Sequence, residues 1–304
     1  MAERVRVYLD LLIAAGTKRA DTLVDVTADR VGLTALEVFL SLKHEYREAL
    51  DLRVGAYSPL GFKDSEPQRW EILVEGAHRA DFIAGLPERD DQADYPDHIG
   101  FEASCGRLVT LSQQLRKPLH LHIDQKNLAD ENGAECAVRV IDDLRLTTHT
   151  IDDEPSIWFV HMISSSAFQE SRFQNLLESL VEYHLGVICC PSAAISMRQI
   201  RASSAPTHNS IARVLDMLAA GVPVRLGSDN ICDITSPAGT TDLVDELFVL
   251  CNAIRFYDES ILAKLAAGVV LNSEERHRIQ NHLKSDAFEM HRVIQQYQLP
   301  RKAA

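Results

Sequence analysis

The chain has 304 residues, 46% of them hydrophobic, enough to bury a large core and to form one big α/β domain or two smaller ones, with one the simpler expectation. Its formal charge of -13 is spread along the sequence, which suits a soluble protein and speaks against nucleic-acid backbones and anionic membrane surfaces as partners. Six cysteines without CxxC spacing exclude a disulfide framework and a zinc knuckle, so reduced thiols in the cytoplasm are expected.

The first residues, MAERVRVYLDLLIAAG, read as an amphipathic helix with charges inside it rather than a signal peptide, and no apolar run reaches the length that spans a bilayer. Beyond them, short β-branched or apolar runs recur about every 30 to 40 residues, each followed by helical periodicity, the pattern of repeated βα units and a parallel sheet. Strands are predicted at TLVDV from Thr22, LRVGAY from Leu52, DFIAGL from Asp81, PLHLHI from Pro118, IWFVHM from Ile157, GVICC from Gly186 and VPVRLG from Val222, seven in all. Between them, stretches such as LTALEVFLSLKHEYREAL and SRFQNLLESLVEYHL set apolar residues at i, i+3, i+4 and i+7, the spacing that covers one side of a sheet. After about residue 240 the sequence turns helical, through DLVDELFVLCNAIRFY and ESILAKLAAG to a long charged segment from Ser273 to Gln298. The expected fold is a (β/α) TIM-type barrel. The chain is read as a single domain over 1-304, with the barrel over about 1-256 and a helical extension over about 257-304. A doubly wound open sheet is the alternative; it is disfavoured because no glycine-rich first turn is present and polar residues follow many different strands.

Barrel enzymes take their reacting groups from the C-terminal ends of strands. Three ends stand out: PLHLHID places His122, IWFVH places His161, and VPVRLGSDN places Asp229. An imidazole and a carboxylate from separate strands can bind a divalent ion and bring the pKa of its water towards neutrality, although histidines buried for structural reasons are just as common.

The segments LHLHIDQ, WFVHMISSSAF, GVICCPSAAISMRQ and GVPVRLGSDNICDITSPAG, in that order, resemble the second half of a barrel of the metal-dependent amidohydrolase superfamily, nearest its cytosine deaminase branch. Upstream, GTKRADTLVDVTADRVGLTALEV is similar to that branch's second strand and following helix, so the resemblance covers roughly residues 3 to 255. It implies a (β/α)8 TIM-type barrel, here lacking its first strand and with no β-sandwich domain, and one Zn²⁺ or Fe²⁺ ion. His122 would be the fifth-strand ligand, His161 the sixth-strand histidine that orients the attacking water, and Asp229 both ligand and proton acceptor. Gln125, Arg198 and Asn230 are then the candidate substrate-binding residues, with Arg198 suited to an anionic group.

The paired HxH ligands of the family's first strand have no counterpart after Met1, so a start upstream of Met1 that carries them, a separate chain covering that strand position, a homo-oligomer, or a degenerate non-catalytic subunit or truncated product stand beside the enzyme reading. Gln125 occupies the place of the branch's proton-shuttling glutamate. An amide can hold a substrate but cannot exchange a proton as a general acid or base, which favours amide, urea-like or lactam substrates over aminopyrimidines. In YSPLGFKD, Pro59 stands near the family's cytosine-reading glutamine, and Leu23 stands where histidine is usual, so a rebuilt pocket for a small nitrogen-rich compound is expected. His120 is read as a core histidine, Cys189 and Cys190 as small buried residues, and Pro87 to Asp97 as a solvated loop over the barrel mouth.

Overall fold

The computed structural model describes residues 1–146, 149–196, 211–233 and 236–297. They fall into two compact units: of the described residues, 1–123, 132–146, 149–160 and 240–243 make the first, and 124–131, 161–196, 211–233, 236–239 and 244–297 the second.

In the first unit, helix α1 (Ala2–Ala14) precedes β1 (Arg19–Asp25), α2 (Thr34–Tyr46), β2 (Asp51–Tyr57), α3 (Gln68–Arg79), β3 (Phe82–Gly85), α4 (Phe101–Leu115), β4 (Leu119–Ile123) and α5 (Gly133–Asp143). A short hairpin, β5 (Thr150–Ile151) and β6 (Glu154–Pro155), leads into β7 (Ile157–His161), whose last residue belongs to the second unit. The second unit adds α6 (Glu170–Glu182), β8 (Gly186–Cys189), α7 (Pro191–Ser196), α8 (Val214–Ala220), β9 (Val224–Leu226), α9 (Leu243–Ile254), α10 (Glu259–Ala266) and α11 (Ser273–Tyr297). Seven strands share one sheet in the order β1-β2-β3-β4-β7-β8-β9, which is also their chain order, as barrel topology requires. Every predicted strand is present, and the helical segment after residue 240 folds as α9 to α11.

The parallel register explains which side chains share a face. Leu23 lies beside Gly55, Gly55 beside Phe82, and Ala84 beside His120. Because parallel partners point the same way, Gly55, Phe82, His120 and His122 line one face, while Leu52, Val54, Ala56, Ile83, Leu119 and Leu121 line the other and are fully buried. A Cβ on Gly55 would stand 2.3 Å from the Phe82 ring, so glycine is what lets that ring lie across β2. The His120 imidazole then stacks on Phe82 with ring centroids 4.3 Å apart.

Loop ends are tied by charge. Asp81 pairs with Lys43 and accepts the Val54 N–H at 2.8 Å, fixing the entry to β3 against β2. Lys117 donates to the carbonyls of Ala77 and His78, each at 2.8 Å, so a cation caps the C-terminal end of α3, where the helix dipole is negative. In the second unit, Asn272 and Glu275 form a reciprocal capping box at the start of α11, each side chain bonding the other's N–H at 2.9 Å. Glu275 and Ile279 are the buried residues of this largely exposed helix. Among the described residues no helix is long and apolar enough to cross a membrane.

Candidate active site

Of the residues singled out from sequence, His161 and Asp229 lie in the same unit, near enough for the charge of Asp229 to act on the His161 ring. His161 closes β7 in a left-handed conformation, φ 78°, and Met162 follows at φ 48°; two such residues in succession turn the chain sharply at the strand end. The imidazole is buried. Burial holds its pKa below the ordinary histidine value, and the charge of Asp229 opposes that shift. A neutral ring results, with one nitrogen to donate and one to accept.

Asp229 lies just past β9, also left-handed at φ 58°, with its side chain exposed. Two glycines shape this strand end. A Cβ on Gly227 would meet Cys190 Sγ at 3.1 Å, and one on Gly239 would stand 2.1 Å from the Asn230 carbonyl oxygen. Glycine in SPAG is therefore required by the closeness of the GSDN backbone. The turn is pinned further by the Ser236 N–H donating to Asp233 at 2.8 Å and by Cys232 Sγ donating to the Gly239 carbonyl at 3.0 Å.

Two buried thiols, Cys189 and Cys190, lie at the end of β8. Burial, and then the Asp229 charge, push the Cys190 thiol well above its ordinary value, and burial raises Cys189 to about 12. Neither is a thiolate at neutral pH, in keeping with their reading as small buried residues. Glu246 on α9 is fully buried and accepts from both the N–H and the hydroxyl of Ser192 at the start of α7. Burial raises its pKa, the Ser192 bonds oppose this, and the charge of Asp229 adds to it. Sequence reading missed Glu246. Its signal was a carboxylate on the buried stripe of α9, four residues before the buried Leu250.

Gln125 lies half-buried in the loop after β4, beside Asp124, which is fully buried at φ 57°. Asn230 is exposed next to Asp229. His122, in the first unit, is partly buried, with its ring 6.2 Å from that of Tyr57. Arg198 lies outside the described residues.

The loop from Pro87 to Asp97 is not simply solvated. Asp90, only 1% exposed, accepts the Phe62 N–H at 2.6 Å and lies 3.0 Å from His98 Nδ1, so it clasps the loop after β2 to the loop after β3. The Tyr95 ring covers His98 at 5.2 Å.

His122 and Asp229 offer donors of the type that hold Zn²⁺ or Fe²⁺. Among the described residues, however, no group of three or more His, Cys, Asp or Glu side chains is arranged to hold a metal ion.

No family model matches the chain, and no curated protein matches it. Solved structures do. A 5-methylcytosine deaminase from Klebsiella pneumoniae liganded with 5-fluorocytosine superposes with a TM-score of 0.75 at 20% identity, over 87% of this chain and 61% of that one. N-isopropylammelide isopropylaminohydrolase from Burkholderia multivorans ATCC 17616 gives 0.68 at 21% identity, over 86% and 60%. An atrazine chlorohydrolase from Arthrobacter aurescens TC1 complexed with zinc gives 0.54 at 13% identity, over 85% and 55%. The chain thus spans about three fifths of the length of the first two. At these identities the likeness establishes the fold: the chain carries the α/β barrel fold of these deaminases and triazine-type hydrolases, in line with its sequence resemblance to the cytosine deaminase branch of the amidohydrolases.

Proposed function

We propose that this protein hydrolyses a non-peptide C–N bond in a small nitrogen-rich compound, in the cytoplasm. The observation that carries the reading is the His161–Asp229 pair, set at the ends of β7 and β9 on a fold shared with hydrolases of such bonds. In the reaction, water oxygen adds to the carbon bearing the nitrogen while the Asp229 carboxylate takes the water proton. The neutral His161 imidazole orients the incoming oxygen and donates a hydrogen bond as negative charge develops on it. The C–N bond then breaks, and the proton held by Asp229 leaves with the nitrogen, so that ammonia or an amine departs and an oxygen takes its place. Gln125 serves as a hydrogen-bonding contact for the substrate, since its amide can donate and accept but not shuttle protons. Asn230, beside Asp229, and Arg198 are proposed as further substrate contacts.

We further propose that activity needs one divalent ion, Zn²⁺ or Fe²⁺, with His122 and Asp229 among its ligands, as the sequence resemblance implies. Such an ion would supply water that is nucleophilic at neutral pH.

A panel of cytosine, 5-methylcytosine, adenine, N-isopropylammelide and simple cyclic ureas tests the reading by release of ammonia or amine. The expected result is turnover of at least one member with kcat/KM of about 10⁴ M⁻¹s⁻¹ or more, lost in Asp229→Ala. No turnover across the panel overturns the enzyme reading in favour of a binding subunit. Elemental analysis after incubation with Zn²⁺ or Fe²⁺ tests the ion separately, and less than about a tenth of an equivalent rules it out.

A further inference from the structure

The loop carrying Gln125 is closed by a hydroxyl–carboxylate clasp that the reaction outlined above does not use. Ser164, fully buried, sits in the 3₁₀ turn Ile163–Ala167 that follows His161 and Met162. Its N–H donates to the Asp124 carbonyl at 3.0 Å, and its hydroxyl accepts the Leu128 N–H at 3.1 Å while donating to Glu131 Oε2. The same carboxylate oxygen accepts the Lys126 N–H at 2.9 Å. Arg172, near the start of α6, donates to the carbonyls of Ala129 and Glu131, and its guanidinium lies 3.6 Å from the centroid of the Phe168 ring.

On both sides of Gln125 the backbone is therefore held: the Lys126 and Leu128 N–H groups end on the side chains of Glu131 and Ser164, and the Asp124 carbonyl accepts the Ser164 backbone N–H. The loop also holds Asp124 and Asn127 left-handed, each at φ 57°. Aspartate and asparagine tolerate that conformation better than other side chains, and the clasp's bonds fall on or beside both residues. Ser164 is three residues from His161, so the anchor of the Gln125 loop is built into the same turn that aims the histidine.

We propose that Ser164 and Glu131 are positioning residues that hold Gln125 in its substrate-binding place relative to His161. The proposal rests on the hydrolase reading for its kinetic consequence and on the clasp geometry alone for its structural one. Glu131 acts as a hydrogen-bond acceptor, with no proton transferred.

The variants Glu131→Ala, Ser164→Ala and Glu131→Gln test this in the full chain. Glu131→Gln keeps a carbonyl oxygen where Oε2 lies, so it retains both accepted bonds and should behave like the wild type. Hydrogen exchange read on peptides covering 124–131 should accelerate about tenfold or more in the two alanine variants and less than about threefold in Glu131→Gln. With the best substrate of the panel, the alanine variants should raise KM about tenfold with kcat within about threefold, the signature of lost uniform binding. Unchanged exchange in both alanine variants overturns the clasp. Faster exchange with unchanged KM overturns the positioning of Gln125. A fall in kcat in Glu131→Gln as large as in Glu131→Ala overturns the acceptor role and makes Glu131 a proton carrier. If no panel member turns over, the hydrolase reading fails on its own, and the exchange measurement still decides the clasp.

Discussion

Replacing Asp229 by glycine separates its chemistry from its place in the fold. The residue sits at φ 58° with an exposed side chain, so truncation leaves no hole in the core. A left-handed L-residue costs about 1–2 kcal/mol, with aspartate at the tolerant end, and glycine removes that strain. Glycine in turn loses more chain freedom on folding, about 0.5–1 kcal/mol. The two nearly cancel, and stability should stay within about 1 kcal/mol of wild type. Catalysis has no such compensation: loss of the proton acceptor should lower kcat by about 10²–10⁴. Asp229→Asn, which also tolerates the left-handed region, should match glycine in both respects. Urea unfolding followed by fluorescence of Trp70 and Trp158 and by circular dichroism measures the first quantity, since coincident curves license the comparison. Amine release measures the second. A loss of more than about 2 kcal/mol would make Asp229 a builder of its loop, and retained turnover would remove it from the mechanism.

Gly61→Ala should cost about 3 kcal/mol, because at φ 65° it adds left-handed strain and its Cβ would stand 2.6 Å from Asp90 Oδ1 and 2.9 Å from His98 Nδ1, displacing a buried charged hydrogen bond. Gly16→Ala is the control: at φ 88° with nothing within 4 Å, it should cost only the strain, about 1 kcal/mol, and equal urea midpoints for the two variants would sink the clasp at Asp90. The buried Cys189 supplies a pH test. Its thiol is raised from 9.0 to about 12 in the folded chain, so its share of stability is intact below pH 9 and is lost as pH rises through 12. By pH 10 that loss is about 1.4 kcal/mol, and Cys189→Ala should close the stability gap to wild type by this amount between pH 7 and 10. A gap of the same size at both pH values would refute the buried, protonated thiol.

The strands were readable because parallel strands buried on their helix-facing side are written as dense apolar runs. LRVGAY folds as β2 with Leu52, Val54 and Ala56 fully buried, and PLHLHI as β4 with Leu119 and Leu121 likewise. The β5–β6 hairpin was not readable. Its strands are two residues each, and Asp152 and Asp153 turn at φ 51° and 64°, the geometry of a tight hairpin turn without the glycine that usually announces one. The clasps were hidden for another reason: Ser192 meets Glu246 across 54 residues and Ser164 meets Glu131 across 33, and no local period records such bonds.

The histidines of LHLHI show what decides between these cases. His120 and His122 share a face and are two residues apart, so residue type and spacing treat them alike. Depth along the strand separates them. His120 lies deeper, 6% exposed, stacked on Phe82; burial lowers its pKa to about 4, with the carboxylate of Asp21 partly opposing, so it is a neutral core ring. His122, one layer nearer the strand's C-terminal end, is less buried and sits beside Tyr57. The same rule sorts β7, where only the terminal His161 meets Asp229 after four apolar residues fill the wall below. A polar residue on a barrel strand therefore carries functional information through its distance from the strand's end, and a pair such as HxH has to be divided before it is assigned.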